Sequence, residues 1–152
     1  MDTSNRIGAL GESLFNYIIS RNYKFQPVQL GEKYPNVDFF VEILGHNKPY
    51  YFLVQTKATE QGINRKGKLR ISIPKTKIRA LAEYSCPTYL VGIDIPSEQA
   101  FIYPVNRTPR KALSSFPTSN PLTFATLNNL YEDVITFWDN TEVKKNKHKH
   151  KL

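Results

Sequence analysis

The pattern of apolar and polar residues over Asn36–Thr59 predicts two neighbouring strands joined by a short turn. Val37–Leu44 and Tyr50–Thr59 are rich in Val, Ile, Phe and Tyr, which are residues that favour strands. Gly45–Asn47 lies between them and predicts the turn. Because apolar residues occupy both faces of each strand, we expect both strands to be covered on both sides.

Polar residues interrupt this pattern where the second strand ends and where the first begins. Side chains alternate along a strand, so Gln55 and Lys57 share one face and Thr56 points to the other. Asp38 lies at the start of the preceding strand. Burying polar or charged groups is unfavourable unless they find partners, and such a departure from the apolar pattern is typical of a functional site.

The rest of the chain completes a succession of helix, three strands, helix, two strands and helix. Asn5–Arg21 is predicted to be an amphipathic helix from the spacing of its apolar residues, which are Ile7, Leu10, Leu14, Phe15 and Ile18. The other predicted elements are an edge strand over Tyr23–Gln29, a helix over Lys75–Tyr84, strands over Thr88–Ile95 and Gln99–Val105, and a closing helix over Thr126–Asp139. The alternation over Leu69–Ile73 also fits a short strand outside this succession. This succession predicts an α/β fold with a central mixed sheet flanked by helices.

Two glycines interrupt the first predicted helix beside an acidic residue. Gly8 and Gly11 precede Glu12, and a glycine inside a helix costs about 1 kcal/mol relative to alanine. We therefore expect another element, such as a strand, to approach the helix closely here. Glu12 would then point toward the margin of the core rather than into solvent.

The length of 152 residues is enough for one domain with a full core but too short for two ordinary domains. We expect that domain over residues 1–140 and a disordered basic tail over residues 141–152. The single cysteine, Cys86, excludes an internal disulfide framework and fits a reducing compartment. No apolar run approaches the roughly 20 residues that span a bilayer, and the N-terminus lacks the layout of a signal peptide, so the expected location is cytoplasmic.

The net charge of +8 is concentrated in two stretches. The last ten residues carry five lysines and no acidic residue. The segment Arg65–Arg79 also lacks acidic residues, and two such stretches indicate a polyanionic partner, most simply nucleic acid. The residues that we interpret as nucleic-acid-binding are Arg65, Lys66, Lys68, Arg70, Lys75 and Lys77. The alternative interpretation is a solvated basic face with a solubilising tail.

The polar positions lie in three sequence blocks that together resemble a known nuclease superfamily. The blocks are Ile7-Gly8-Ala9-Leu10-Gly11-Glu12, Asp38-Phe39-Phe40-Val41-Glu42 and Leu53-Val54-Gln55-Thr56-Lys57-Ala58-Thr59. They resemble the PD-(D/E)xK nucleases, whose signature is an Asp followed, on the next strand, by Glu-x-Lys or Gln-x-Lys. The most similar family that we can name is DUF4365, a small prokaryotic family of unknown function. The resemblance spans about residues 5–105 and implies a restriction-endonuclease-like αβββαβ core.

The resemblance also implies a function and roles for these residues. It implies an Mg²⁺-dependent endonuclease that hydrolyses phosphodiester bonds of DNA, with Mn²⁺ as a substitute metal and RNA as an open alternative. Asp38 would be the principal metal ligand, helped by Glu12, the side-chain oxygen of Gln55 and the backbone carbonyl of Thr56. Lys57 would orient the attacking water or stabilise the transition state. The likeness to Holliday-junction resolvases further implies branched or structured DNA and a homodimer, for which the closing helix with Trp138 is the candidate face.

Gln55 departs from the Glu-x-Lys form of the signature, and a neutral amide binds Mg²⁺ more weakly than a carboxylate. The Gln-x-Lys form also occurs in the Mrr-like restriction enzymes that belong to the same superfamily. Glu42, on the same strand face as Asp38, is a second acidic group that would compensate if it reached the metal. Two other functions stay open at this point: an inactive nucleic-acid-binding module that keeps the nuclease fold, and an accessory protein with a protein partner.

Overall fold

The chain adopts the predicted succession of helix, three strands, helix, two strands and helix. The computed structural model of the protein describes residues 3–106 and 111–145. The helices are α1 (Thr3–Ser20), α2 (Lys75–Ala82) and α3 (Phe124–Lys145), and the strands are β1 (Phe25–Gln29), β2 (Phe39–Ile43), β3 (Tyr51–Thr59), β4 (Thr88–Asp94) and β5 (Gln99–Pro104). The predicted α/β class is confirmed.

The five strands form one mixed sheet in the order β1-β2-β3-β4-β5. Neighbouring strands are antiparallel except for β3 and β4, which run parallel. A parallel pair needs a long crossover connection, and residues 60–87, which include α2, provide it. Pro27 lies in β1 at one edge of the sheet, where its missing N–H breaks no hydrogen bond between two central strands.

Alternation of side chains divides the core into two layers, one on each face of the sheet. Phe52 and Val54 of β3 pack in the layer under α1 and α3. Leu53, between them in sequence, packs in the layer under α2. The central strands are therefore covered on both faces, as their apolar composition predicts.

The approach of α1 to the sheet depends on one of the two glycines. A Cβ atom at Gly11 would lie 2.6 Å from the Cβ of Ala58 in β3, which is closer than real contacts allow. The predicted close approach is confirmed at this position. At Gly8 the prediction is wrong, because among the described residues only the helix's own backbone and the chain neighbours of Gly8 can lie within 4 Å of the corresponding Cβ position.

The segment Leu69–Ile73 is not a strand of the sheet, although its residues alternate. Leu69, Ile71 and Ile73 are buried and the two residues between them are exposed. The segment forms only isolated bridges, from Leu69 to Ile63 and Phe116 and from Ile73 to Leu113. Its alternation arises because one side of the segment packs in the core layer under α2. The sequence pattern of a strand therefore occurs here although the segment does not join the sheet.

Two further predictions differ in detail from the structure. Leu10, expected in the core stripe of the first helix, is 40% exposed. Helix α3 continues to Lys145, so residues 141–145 of the expected tail are helical, and residues 146–152 lie outside the described residues. The indole N–H of Trp138 donates to the Tyr51 carbonyl at 2.8 Å, and its ring packs on Tyr50. This side chain stabilises the chain's own fold, and the dimer face expected on its helix stays a prediction.

The single thiol of the chain has little reactivity. Cys86 is a buried free cysteine, and burial raises its pKa to about 11. The thiol is therefore protonated, and unreactive as a nucleophile, near neutral pH.

Within the described ranges, no helix combines the length and the apolar character needed to cross a membrane.

Candidate active site

The site forms where β2 begins and β3 continues beyond it. Phe39, the first residue of β2, pairs with Val54 of β3, and the Asp38 N–H donates to the Val54 carbonyl at 2.9 Å. From there β3 runs on to Thr59 and pairs with β4 alone among the described strands. The sheet thus opens into a fork, and polar side chains can occupy the gap without displacing a neighbouring strand.

Asp38 is held at this fork by Thr56. Its Oδ2 atom accepts hydrogen bonds from the Thr56 backbone N–H at 2.7 Å and from the Thr56 hydroxyl at 3.1 Å. The N–H and C=O of one strand residue project to the same side of the strand. The Thr56 carbonyl therefore points to the Asp38 side of β3, as a role in metal binding requires.

Gln55 carries the least satisfied polar atom of the site. The residue is only 4% exposed, and within residues 3–106 and 111–145 its side-chain Oε1 atom has no hydrogen-bond partner. A buried acceptor without a partner costs about 1–3 kcal/mol. An oxygen left in this state is suited to coordinate a cation or to hold a water molecule.

Lys57 lies two residues further along the same face of β3 and is half-buried. Burial lowers its pKa, and so does the positive charge of Lys77, while the charge of Asp38 acts in the opposite direction. An ammonium group in this setting releases its proton more readily than an exposed lysine. Such a lysine can hold a water molecule in place by donating a hydrogen bond to it.

Glu12 reaches the fork from α1. Its pKa is raised by burial and by the negative charge of Asp38, and a hydrogen bond from Gln29 partly opposes the shift. The Gln29 side-chain amide donates to Glu12 Oε2 across the gap between β1 and α1. Gln29 therefore fixes the orientation of Glu12, a role that the sequence does not reveal.

These side chains line one cleft with a volume of about 440 Å³. Helix α1 contributes Glu12, helix α2 contributes Lys77, and the fork contributes Asp38, Gln55 and Lys57. The structure thus brings together the four side chains predicted as catalytic. Of the six residues predicted to bind nucleic acid, Lys77 lines the cleft, and the other five are exposed and do not line it: Arg65, Lys66, Lys68, Arg70 and Lys75.

The cleft offers oxygen ligands of the kind that Mg²⁺ prefers. Two carboxylates, of Asp38 and Glu12, combine with the unpartnered amide oxygen of Gln55 and the carbonyl of Thr56. Among the described residues there is no group of three or more His, Cys, Asp or Glu that could hold a metal ion. A cation here would therefore depend on neutral oxygens as well as on carboxylates, a mixture that hard cations accept.

Glu42 does not provide the missing carboxylate. It pairs with Tyr51 at the far end of β2, roughly 13 Å along the strand from Asp38. It does not line the cleft. The idea that it compensates for Gln55 is not supported by its position.

Sequence reasoning missed three contributions to the site, which come from Gln29, from the N–H and hydroxyl of Thr56, and from Lys77. The contact of Thr56 with Asp38 follows from the register of β2 on β3, which no residue pattern specifies. Lys77 carries a partial signal, since it follows Pro74 in a predicted helix and belongs to the basic stretch. Only the packing of α2 shows that it faces the cleft.

No protein-family model, no curated protein and no solved structure matches the chain. The resemblance to the PD-(D/E)xK nucleases, and to the DUF4365 family in particular, stays a prediction that rests on its three sequence blocks.

Proposed function

We propose that the cleft is the active site of a metal-dependent endonuclease that hydrolyses phosphodiester bonds of DNA. The observation that carries the proposal is that Asp38, Glu12 and Lys57 line one cleft with Gln55, whose buried amide oxygen has no hydrogen-bond partner among the described residues. Polar groups in this setting lower the stability of a fold unless they have hydrogen-bond or charge partners, and departures of this kind are typical of functional sites. Two carboxylates beside two ammonium groups match the needs of phosphoryl chemistry.

Mg²⁺ supports such a reaction by making a bound water more acidic and by neutralising charge on the phosphate, and Mn²⁺ is the expected substitute. Asp38, Glu12, the Gln55 side-chain oxygen and the Thr56 carbonyl are the groups that would hold it. Thr56 fixes Asp38 through two hydrogen bonds, and Gln29 fixes Glu12 through one. The ligand set is thus oriented before any cation arrives.

The two lysines take different tasks in this proposal. Lys57, whose pKa is lowered by burial and by Lys77, orients the attacking water by donating a hydrogen bond to it. Lys77, on α2, faces the same cleft and places its positive charge near the phosphate oxygens, where negative charge grows in the transition state. We therefore assign Lys77 to the reacting centre and no longer to the general DNA contacts.

The exposed basic residues outside the cleft supply affinity for the polyanion. The connection from β3 to α2 starts at the open end of the fork and carries Arg65, Lys66, Lys68 and Arg70, all exposed. Contacts of this type position the backbone without selecting a base sequence. We therefore expect binding that weakens steeply with salt and cleavage with little sequence preference. The proposal further includes branched or otherwise structured DNA as the substrate and a homodimer as the active enzyme.

A binding module without turnover is the second candidate function. Gln55 favours it, because the described residues bring only two carboxylates to the cleft. Such a protein would bind DNA through the same basic residues and leave it intact.

The first experiment incubates the purified protein with labelled linear, nicked, flapped and four-way-junction DNA, and with RNA, in Mg²⁺, Mn²⁺ or EDTA. We expect metal-dependent cleavage that falls by about 100-fold or more in Asp38→Ala and Lys57→Ala. Glu42→Ala and Lys48→Ala are matched controls, because both residues lie outside the cleft and Lys48 lies outside the basic stretch Arg65–Arg79, and both variants should cleave like the unaltered protein. Binding without cleavage, unchanged in the four variants, would contradict the nuclease and leave the binding module.

A further inference from the structure

An apolar groove lies on the same face of the sheet as Gln55 and Lys57. Its floor includes Val37, Phe40 and Leu53, and its volume is about 240 Å³. Two tyrosines from different elements complete the lining: Tyr34, in the connection between β1 and β2, and Tyr84, just after α2. Tyr34 is 55% exposed and Tyr84 is 40% exposed. Within the described chain neither ring packs against another aromatic ring or a cation.

The groove and the cleft share one short segment of chain. Tyr34 and Val37 line the groove, while Pro35 and Asp38 line the cleft. The cleft therefore presents charged groups, and the groove presents aromatic and aliphatic groups. The segment from Tyr34 to Asp38 separates the two. A nucleotide combines the same two kinds of group, because its anionic phosphate is joined through a sugar to a planar, largely apolar base.

Hydrogen bonds hold the shared segment in place. The Leu30 N–H donates to the Asp38 carbonyl at 2.8 Å and closes the connection at its base. Within it, the Tyr34 N–H donates to the Gly31 carbonyl at 3.1 Å and the Val37 N–H donates to the Tyr34 carbonyl at 3.2 Å. The distance between the groove and the cleft is thus set by the fold and does not depend on a ligand.

We propose that the groove is a nucleobase pocket that takes the base next to the phosphate bound in the cleft, with Tyr34 and Tyr84 as stacking surfaces. Proteins that bind single strands combine a cationic path for the backbone with aromatic side chains for the bases. A base inside a duplex cannot enter such a groove without leaving its stack. The substrate class is therefore nucleic acid with an unpaired nucleotide at the bound phosphate: a single strand, an overhang, a flap or a junction arm. This inference rests on the proposed function of the cleft.

The test measures binding and cleavage separately. A single-stranded oligonucleotide of about 12 nucleotides, carrying the fluorescent base 2-aminopurine, is titrated with the protein in EDTA, beside a fully paired duplex of the same sequence. We expect tighter binding of the single strand, quenching of the 2-aminopurine, and a loss of affinity of about tenfold in Tyr34→Ala and in Tyr84→Ala. Tyr34→Phe and Tyr84→Phe keep a ring and should restore both signals. Tyr17→Ala is the matched control, because Tyr17 is an exposed tyrosine on α1, 66% accessible and remote from the groove lining.

Each result decides between the two proposals. Equal affinity and equal quenching in the alanine and phenylalanine variants would overturn the base pocket, whether or not DNA is cleaved in Mg²⁺. Quenching that depends on the tyrosines, in a protein that cleaves nothing, would support the pocket and contradict the nuclease. A change of oligomeric state in Tyr34→Ala or Tyr84→Ala with unchanged oligonucleotide affinity would assign the groove to a second copy of the chain and overturn the proposal.

Discussion

The two halves of β3 differ in their neighbouring strands and in the polarity of their side chains. In the first half, Leu53 and Val54 have strands on both sides, and Phe52, Leu53 and Val54 contribute to an apolar layer on each face. In the second half, Gln55 and Lys57 have β4 on one side and the open fork on the other. One strand therefore serves as core for half of its length and as the wall of a cleft for the rest. The change occurs where β2 begins.

The difference teaches that a missing neighbour strand allows polar chemistry in the middle of a sheet. Where β2 is present, its backbone satisfies the hydrogen bonds of β3. Beyond that point the Asp38 carboxylate accepts the Thr56 N–H instead. A side chain replaces a strand as the hydrogen-bond partner, and it carries a charge that the site needs.

The largest effect should follow from a cavity in the apolar first half of β3. Phe52 is fully buried and makes edge-to-face contacts with Phe25 at 5.7 Å and Tyr89 at 5.4 Å between ring centroids. We expect Phe52→Ala to lower the free energy of unfolding by about 3–5 kcal/mol, measured by urea denaturation. A loss below about 1 kcal/mol would show that this half of the strand is not the core that its burial indicates.

A smaller effect should follow from pushing α1 away from the second half of β3. Gly11→Ala places a Cβ atom against Ala58, and we expect a loss of about 1–3 kcal/mol in the free energy of unfolding. Gly8→Ala is the matched control, because open space surrounds that position. It should stabilise the protein by up to about 1 kcal/mol through helix propensity alone. Equal responses of the two variants to thermal denaturation would contradict the close packing of α1.

A substitution at Gln55 should show that the second half of β3 is less stable than an apolar strand because of its polar side chains. Gln55→Leu removes a buried oxygen without a partner, and we expect the variant to unfold about 1 kcal/mol less readily while losing metal-dependent cleavage. Gln55→Glu should instead bind Mg²⁺ more tightly, as measured by isothermal titration calorimetry. A destabilised Gln55→Leu would indicate that the amide stabilises the fold through its remaining contacts.

The smallest effect concerns the pH dependence of stability. Glu12 has a raised pKa in the folded protein, mainly because of burial and then because of Asp38, so folding favours its protonated form. Its contribution to stability is present below its unfolded pKa of about 4.3 and is lost as the pH rises through the higher folded value. Glu12→Gln should therefore unfold less readily than the unaltered protein at neutral pH, and this gain should vanish in acid. Denaturation midpoints measured without metal across this range check the sign, and a gain that persists unchanged in acid would contradict it.

Much of the fold is specified by local pattern. The strands β2 to β5 follow from their apolar and β-branched residues, and Pro74 correctly predicts the start of α2 at Lys75. The segment Leu69–Ile73 shows the limit of such prediction, because one-sided burial produces the alternation of a strand whether or not a partner strand exists. Pattern reports which side of a segment is buried and not what lies against it.

The site divides in the same way between local and long-range information. Asp38, Gln55 and Lys57 stand out as polar residues in apolar strands, so the sequence alone points to them. Gln29 does not stand out, since an exposed glutamine on an edge strand is ordinary. Its task depends on α1 crossing beside β1, and that geometry is set by packing between elements distant in sequence.

The parallel pairing of β3 with β4 has a consequence for the order in which the protein assembles. Contacts among β1, β2 and β3 join residues close in sequence, and they bring Asp38 to Thr56 over a separation of 18 residues. The parallel pair must first close the loop from Thr59 to Thr88, and closing a long loop slows folding. Lys77 lies within that loop, so we expect the carboxylate and amide side of the cleft to form early and its second lysine to arrive with the last contacts of the sheet. A folding intermediate that holds the antiparallel strands alone would then have the oxygen ligands of the cleft without the cation on its far wall.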